Sequence, residues 1–239
     1  MATATAQLTA VERLTLKLFD GDARGALADE VAAWLSGSRR FRAFAEANRD
    51  KIRKKLRGAA DADARKDVRA ELRAAHLMLA DRRIELAFEA YGSGKPGPDF
   101  TVVYRAARSF NLEVTRVRRS PGAASDGGPL LAKLRQLPPS IPNVLAVAIE
   151  GETADAFDVE AATRALLARV AAKDEALFIQ RGFAGTREFH DRYLRLGAVL
   201  VWCEEASGDA RAALWTNRSA RIAVPPRALG ACLLSLRGG

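Results

Sequence analysis

Cysteine and histidine are scarce in this chain, with two of each in 239 residues. Cys203 and Cys232 have no metal-ligand spacing, which excludes a zinc cluster and predicts buried free thiols in a reducing compartment. His76 and His190 stand alone, so each reads as a polar helix residue, and neither is spaced to activate Cys203 as a nucleophile. Long apolar runs are missing as well, since none approaches the roughly 18 uninterrupted apolar residues of a membrane helix. The opening "MATATAQLTAVERL" lacks the basic start and apolar core of a secretory signal, so the expectation is a cytoplasmic protein with no membrane partner. The glycine-containing stretches "GSGKPG" and "GGP" do not have the spacing of a phosphate-binding loop. No internal repeat or long low-complexity tract is visible.

Lysine is scarce for so basic a chain: 38 residues are Lys or Arg, only eight of them Lys, and the formal net charge is +9. Such a balance favours an anionic partner, which by charge alone is nucleic acid, an acidic protein or an anionic surface. Apolar residues make up 49% of the chain, enough for the core of one large or two small domains.

Residues 7 to 57 read as helices: "LTAVERLTLKLF", "ARGALADEVAAWL" and "SRRFRAFAEANRDKIRKKLR", separated by Asp20-Gly21-Asp22 and Ser36-Gly37-Ser38. Between Arg39 and Arg57 nine basic residues stand against Glu46 and Asp50, a net +7. One reading is a solvated helix face. The other is phosphate contact through Lys51, Arg53, Lys54, Lys55 and Arg57, because each cation that neutralises a phosphate releases condensed counterions. Phe41, Phe44, Ile52 and Leu56 form too narrow an apolar stripe for a membrane-surface helix.

From Asp63 to Ala80 the apolar positions Val68, Leu72, Ala75 and Leu79 recur at helical spacing, with Glu71 at the edge of the stripe. The period then drops to two at Ile84, Leu86, Phe88 and Ala90, which predicts a strand. A turn at Gly92-Ser93-Gly94 and Pro96-Gly97 leads to a second strand at Asp99 to Ala106 and a third at Phe110 to Arg118, where Glu113 and Thr115 share a face. A short helix, "PLLAKLRQL", buries Leu130, Leu131, Leu134 and Leu137 and stops at Pro138-Pro139. "NVLAVAIE" suits a strand covered on both faces; the helix "VEAATRALLARVAA", strands "AVLVWC" and "AALWT" and a last helix opened by "PPRALGACLL" follow. The order from residue 63 to 149 is helix, strand, strand, strand, helix, strand. The predicted class is α/β with a central mixed sheet, a helical N-terminal extension over 1–60 and an α/β domain over 61–239.

Pro98-Asp99 at the start of the second strand, Glu113-Val114-Thr115 within the third and Glu71 on the preceding helix resemble the PD-(D/E)XK nuclease superfamily. The resemblance covers residues 63 to 149 and implies a restriction-endonuclease-like core. It implies that Asp99, Glu113 and the carbonyl of Val114 hold Mg2+ or Mn2+, with Glu71 supporting them or serving a second ion. Magnesium takes oxygen ligands and keeps several waters, so one or two carboxylates plus a substrate phosphate suffice. Thr115 departs from the pattern, because the superfamily places there a lysine that orients the attacking water and stabilises developing negative charge. Lys133 in the following helix and Lys95 in the turn before Asp99 are the candidate substitutes. Lys133 is favoured, since lysines relocated to that helix are a feature of the superfamily and Gln136 lies one turn away. Arg116 is nearer in sequence, but strand alternation turns it from the Glu113 face; with Arg118 it forms an arginine-rich strand end able to touch a phosphate backbone.

The activity implied by the resemblance is that of a metal-dependent DNA endonuclease hydrolysing phosphodiester bonds, with Asp99, Glu113 and Lys133 catalytic. The expected partner is nucleic acid, DNA first, and a homodimer is compatible with cutting both strands. The alternative is a catalytically inactive PD-(D/E)XK-fold protein that binds nucleic acid or a protein partner, its chemistry lost with the motif lysine. A third reading, a scaffold whose basic helix docks an acidic protein, is less favoured by the arginine-rich strand. A plainer reading of the acids makes Asp99 a turn residue capping the strand and Glu113 an exposed acid paired with a neighbouring arginine such as Arg105.

Overall fold

The computed structural model describes residues 8–91, 97–117, 127–149, 157–204 and 210–238. The chain divides into two compact units, Met1–His76 and Leu77–Gly239, a division further along the chain than residue 60. The first unit holds α1 (Ala10–Leu18), α2 (Ala26–Gly37), α3 (Arg39–Ala47), α4 (Arg49–Gly58) and most of α5 (Ala62–Met78). Thr9 and Glu12 open α1 reciprocally: the Thr9 hydroxyl accepts from Glu12 N at 3.2 Å, and the Glu12 carboxylate accepts from Thr9 N at 2.7 Å. The sequence predicts one helix across residues 38–57, whereas the chain breaks at Asn48, whose Nδ2 donates to the Phe44 carbonyl at 2.9 Å. An asparagine side chain that competes for a helix carbonyl favours a helix end over a helix interior.

The second unit is built on a six-stranded, open, mixed sheet in the order β1-β2-β3-β4-β5-β6. The strands are β1 (Ile84–Phe88), β2 (Phe100–Tyr104), β3 (Arg108–Val117), β4 (Asn143–Ile149), β5 (Leu196–Glu204) and β6 (Ala210–Thr216). Between them lie α6 (Gly128–Lys133) with a 3-10 turn at Leu134–Gln136, then α7 (Val159–Ala171), α8 (Glu175–Gln180) and α9 (Thr186–Tyr193), and α10 (Pro226–Arg237) follows β6. β3, β4 and β5 run parallel, while β1, β2 and β6 add antiparallel edges. The centre of the sheet is buried from both sides, which is why β4 reads as an unbroken apolar run.

On one face Leu145, Val147, Val199 and Val201 join Leu130, Leu131 and Leu134 beside α6, Leu166 of α7, and the Phe178, Phe183 and Phe189 rings in a single cluster. That cover stops short of β1 and β2. There the same face is open, with Glu85 and Ala87 exposed and Thr101 and Val103 half-buried. The opposite face buries Ile84, Phe88, Phe100, Val102, Phe110 and Leu112. α10 packs on that side of β5 and β6.

α8 and α9 are absent from the sequence-based expectation. Each is short, and their signal is capping rather than periodicity: Asp174 accepts from Leu177 N at 3.3 Å, while the Glu175 carboxylate takes the Thr186 hydroxyl at 2.6 Å and Thr186 N at 2.9 Å. The hydroxyl, and then the amide, hold the Glu175 carboxyl below its ordinary range. Phe178 and Phe189, with ring centroids 4.5 Å apart, close the pair of helices over the core.

Both cysteines are free and buried. Burial, and then the Asp81 carboxylate, push the Cys232 thiol up to about 12. At pH 8 neither thiol of the folded protein is expected to react with an aromatic disulfide reagent, and both should react in denaturant. Rapid reaction of one folded thiol would show that its surroundings open. No helix among the described residues is long and apolar enough to cross a membrane.

Candidate functional site

The pairing of β2 with β3 sets the positions of the two acids. Phe100 pairs with Leu112, and β2 ends there, so the next step of the register places Asp99 opposite Glu113 on the same face. Among the described residues β3 continues to Val117 paired with β4 alone. Asn111 N donates to the Pro142 carbonyl at 2.8 Å, so the odd-numbered peptide groups of β3 serve β4 and those of Val114 point toward the end of β2. The Asp99 carboxylate takes the place of the missing strand: its Oδ2 accepts from Val114 N at 2.9 Å. Pro98, itself buried, precedes it and has no N–H to extend the ladder.

Glu113 is buried, its side chain only 2% exposed, and its Oε1 accepts from Lys133 Nζ at 2.6 Å. The lysine reaches it from the last turn of α6, and the start of that helix is fixed by Gly127, at φ +65°. A Cβ on Gly127 would lie 2.6 Å from Leu166 Cδ1, so α6 approaches α7 more closely than another residue permits. The reading of Glu113 as an exposed acid paired with Arg105 is therefore corrected: Arg105 sits in the β2–β3 turn with its guanidinium 5.5 Å from the Tyr104 ring centroid. Lys133 thus meets Glu113, and Asp99 meets the backbone of the next residue, at the border between the covered and open parts of one sheet face.

Glu71 belongs to the first unit, where it pairs with Lys55. On α4 Lys54 and Arg57 are exposed, Lys51 is half-buried, and Arg53 lies 3.5 Å from Asp50. Arg116 is half-buried and, by alternation, on the face opposite Glu113. Lys95 and Arg118 lie outside the described residues. Thr115 is half-buried two residues beyond Glu113, and Gln136 is half-buried in the 3-10 turn. His190 is exposed on α9, and His76 stacks on Trp34 with ring centroids 5.5 Å apart.

Sequence reasoning passed over two asparagines beneath the site. Asn111, fully buried, donates from Nδ2 to Asn143 Oδ1 at 2.9 Å, and Asn143 Nδ2 reaches the carbonyls of Pro138, Ile141 and Arg195 at 2.9, 3.1 and 3.0 Å. The available signal was an asparagine two residues before Glu113, on the face of β3 that also carries the acid, and another at the head of "NVLAVAIE". Their bonds tie β3, β4 and the chain entering β5 together just below the acids.

The donor set around the two strand ends is all oxygen: the carboxylates of Asp99 and Glu113 and the Val114 carbonyl, which faces the end of β2 as its N–H does. Such donors fit a hard divalent cation and not a soft one. Among the described residues no group of three His, Cys, Asp or Glu side chains gathers to hold a metal, so any ion here would rely on two carboxylates, a backbone oxygen and water. Comparison with known proteins gives no match: no family model, curated protein or solved structure matches this chain.

Proposed function

We propose that this protein is a metal-dependent phosphodiesterase of the nuclease type, with a restriction-endonuclease-like core running from α5 to β4. The observation that carries the reading is the pair of bonds that put the Asp99 carboxylate on the N–H of Val114, the residue after Glu113, and the Lys133 ammonium on Glu113 itself. Asp99, Glu113 and the Val114 carbonyl would hold Mg2+ or Mn2+. Such an ion supplies charge to polarise a phosphate and to lower the pKa of a water. The Val114 N–H fixes the orientation of the Asp99 carboxylate. Lys133 supplies the positive charge that Thr115 cannot, and it neutralises Glu113 in the absence of substrate. The exposed cations of α4, Lys54 and Arg57, suit a phosphate backbone. DNA is the first substrate to test.

Calorimetric titration with Mg2+ and Mn2+ is expected to give binding to the wild type and none to the Asp99→Asn, Glu113→Gln double variant. Lys133→Met should keep metal binding while lowering cleavage of DNA by about 10² to 10³. A wild type that binds neither ion, or a double variant that binds as well, removes the site. Metal binding without cleavage of any DNA or RNA form would favour the non-catalytic binding protein, for which the Lys133–Glu113 pair is a resting structural contact.

A further inference from the structure

We propose that Tyr91 is a base-stacking residue: its ring receives an unpaired nucleobase of the strand whose phosphate lies at Asp99 and Glu113. The inference rests on the nuclease reading and names the part of the substrate that sets its register. Tyr91 stands just beyond β1, and its ring is held at both ends. Its hydroxyl donates to Asn111 Oδ1 at 3.3 Å, an oxygen that Thr101 Oγ1 also reaches at 3.4 Å. At its base, a Cβ on Gly97 would come within 3.0 Å of Tyr91 Cβ and 3.4 Å of Cγ, so the chain leading into Pro98-Asp99 backs the side chain.

Asn111 lies two residues before Glu113 on one face of β3, about 7 Å along the strand, so Asn111 places the tip of the ring close to the acids. Tyr91 is nonetheless 37% exposed as a residue. On the open half of the face the strand residues are Glu85, Ala87, Thr101 and Val103, none of them aromatic. The aromatic residues of β1 and β2, Phe88, Phe100 and Tyr104, all point to the opposite, buried face. A fixed, exposed ring beside a phosphate site offers what charge cannot, a contact that positions one nucleotide and tolerates any base. Stacking requires a base free of its partner, so the preferred substrate is a single strand, an overhang or a frayed end rather than continuous duplex.

The test uses the full chain and a 12-nucleotide DNA single strand carrying 2-aminopurine, with Mg2+ and separately with chelator, compared with the same label in duplex. Wild type should quench the label in the single strand. Tyr91→Leu, which keeps bulk against Gly97 but has no aromatic face, should bind about tenfold more weakly and without quenching. Tyr91→Phe should retain the quench, and the melting temperatures of both variants verify folding. Equal affinity and quenching with leucine overturn the role of Tyr91 while leaving the metal-site titrations to stand. Failure of the wild type to bind either form overturns this inference and the nuclease reading together.

Discussion

Lys133→Met is expected to lower the free energy of unfolding by about 2 kcal/mol, and to do so more than Glu113→Leu does. The reason is the asymmetry of the pair. Removing one member of a fully buried ion pair costs about 3–5 kcal/mol, because the other charge is left without a partner in a poor solvent. The Glu113 side chain is 2% exposed and the Lys133 side chain 25%, so Lys133→Met takes a counter-charge from a carboxylate held inside the protein, whereas the ammonium left by Glu113→Leu can bend its methylene stem toward water. The partial exposure of Lys133 is also why the figure falls below the fully buried range. Combining the two substitutions places leucine opposite Leu145 and methionine beside the Leu130 and Leu131 packing, and should recover most of the loss. Urea unfolding of the four proteins measures the coupling. Additive single effects would mean that the pair contributes nothing to the folded state, and that Lys133 is free to move away from Glu113.

Asn143→Leu should cost more, about 3 kcal/mol or above, and Asn143→Asp more again. The Asn143 amide nitrogen sits among three carbonyl oxygens, those of Pro138, Ile141 and Arg195, and its oxygen receives Asn111 Nδ2. Two amide hydrogens serve the three carbonyls, so leucine leaves acceptors buried without a donor while filling a similar volume. Aspartate keeps the shape and reverses the chemistry, turning a lone-pair oxygen toward the same carbonyls. The ranking asparagine, leucine, aspartate in denaturation midpoint is therefore the diagnostic result. A leucine variant as stable as the wild type would mean that water satisfies those carbonyls instead. The same pair of asparagines ties down the segment of β3 that carries Glu113, so under the proposed metal-dependent function loss of Asn143 should also weaken Mg2+ binding.

Much of the second unit was legible in the sequence because its elements obey simple periods. Ile84 to Phe88 alternates with charged or small residues, residues 143–149 form an apolar run, and Pro138-Pro139 follows the leucine-rich helix, so element type and order over 62–149 follow from local pattern. The α8 and α9 helices were not legible, since six and eight residues are too few to display a period and their stability comes from Glu175 meeting Thr186. The break at Asn48 was likewise invisible to a pattern that stays amphipathic across it.

For the site, the sequence by itself determined which acids and which lysine were available, and strand alternation alone put Glu113 and Thr115 on one face. It could not determine the partners. That Asp99 caps β3 through Val114, just past its pairing with β2, depends on the register of β2, which a one-residue slip would have reversed. That Lys133 meets Glu113 depends on the close approach of α6 to α7 at Gly127. Whether a ring at position 91 lies open or covered depends on where the helical cover of the sheet stops. Periodicity is local and survives in one dimension; register, helix approach and the limits of burial are set by contacts between residues remote in the chain, and only the tertiary structure decided them.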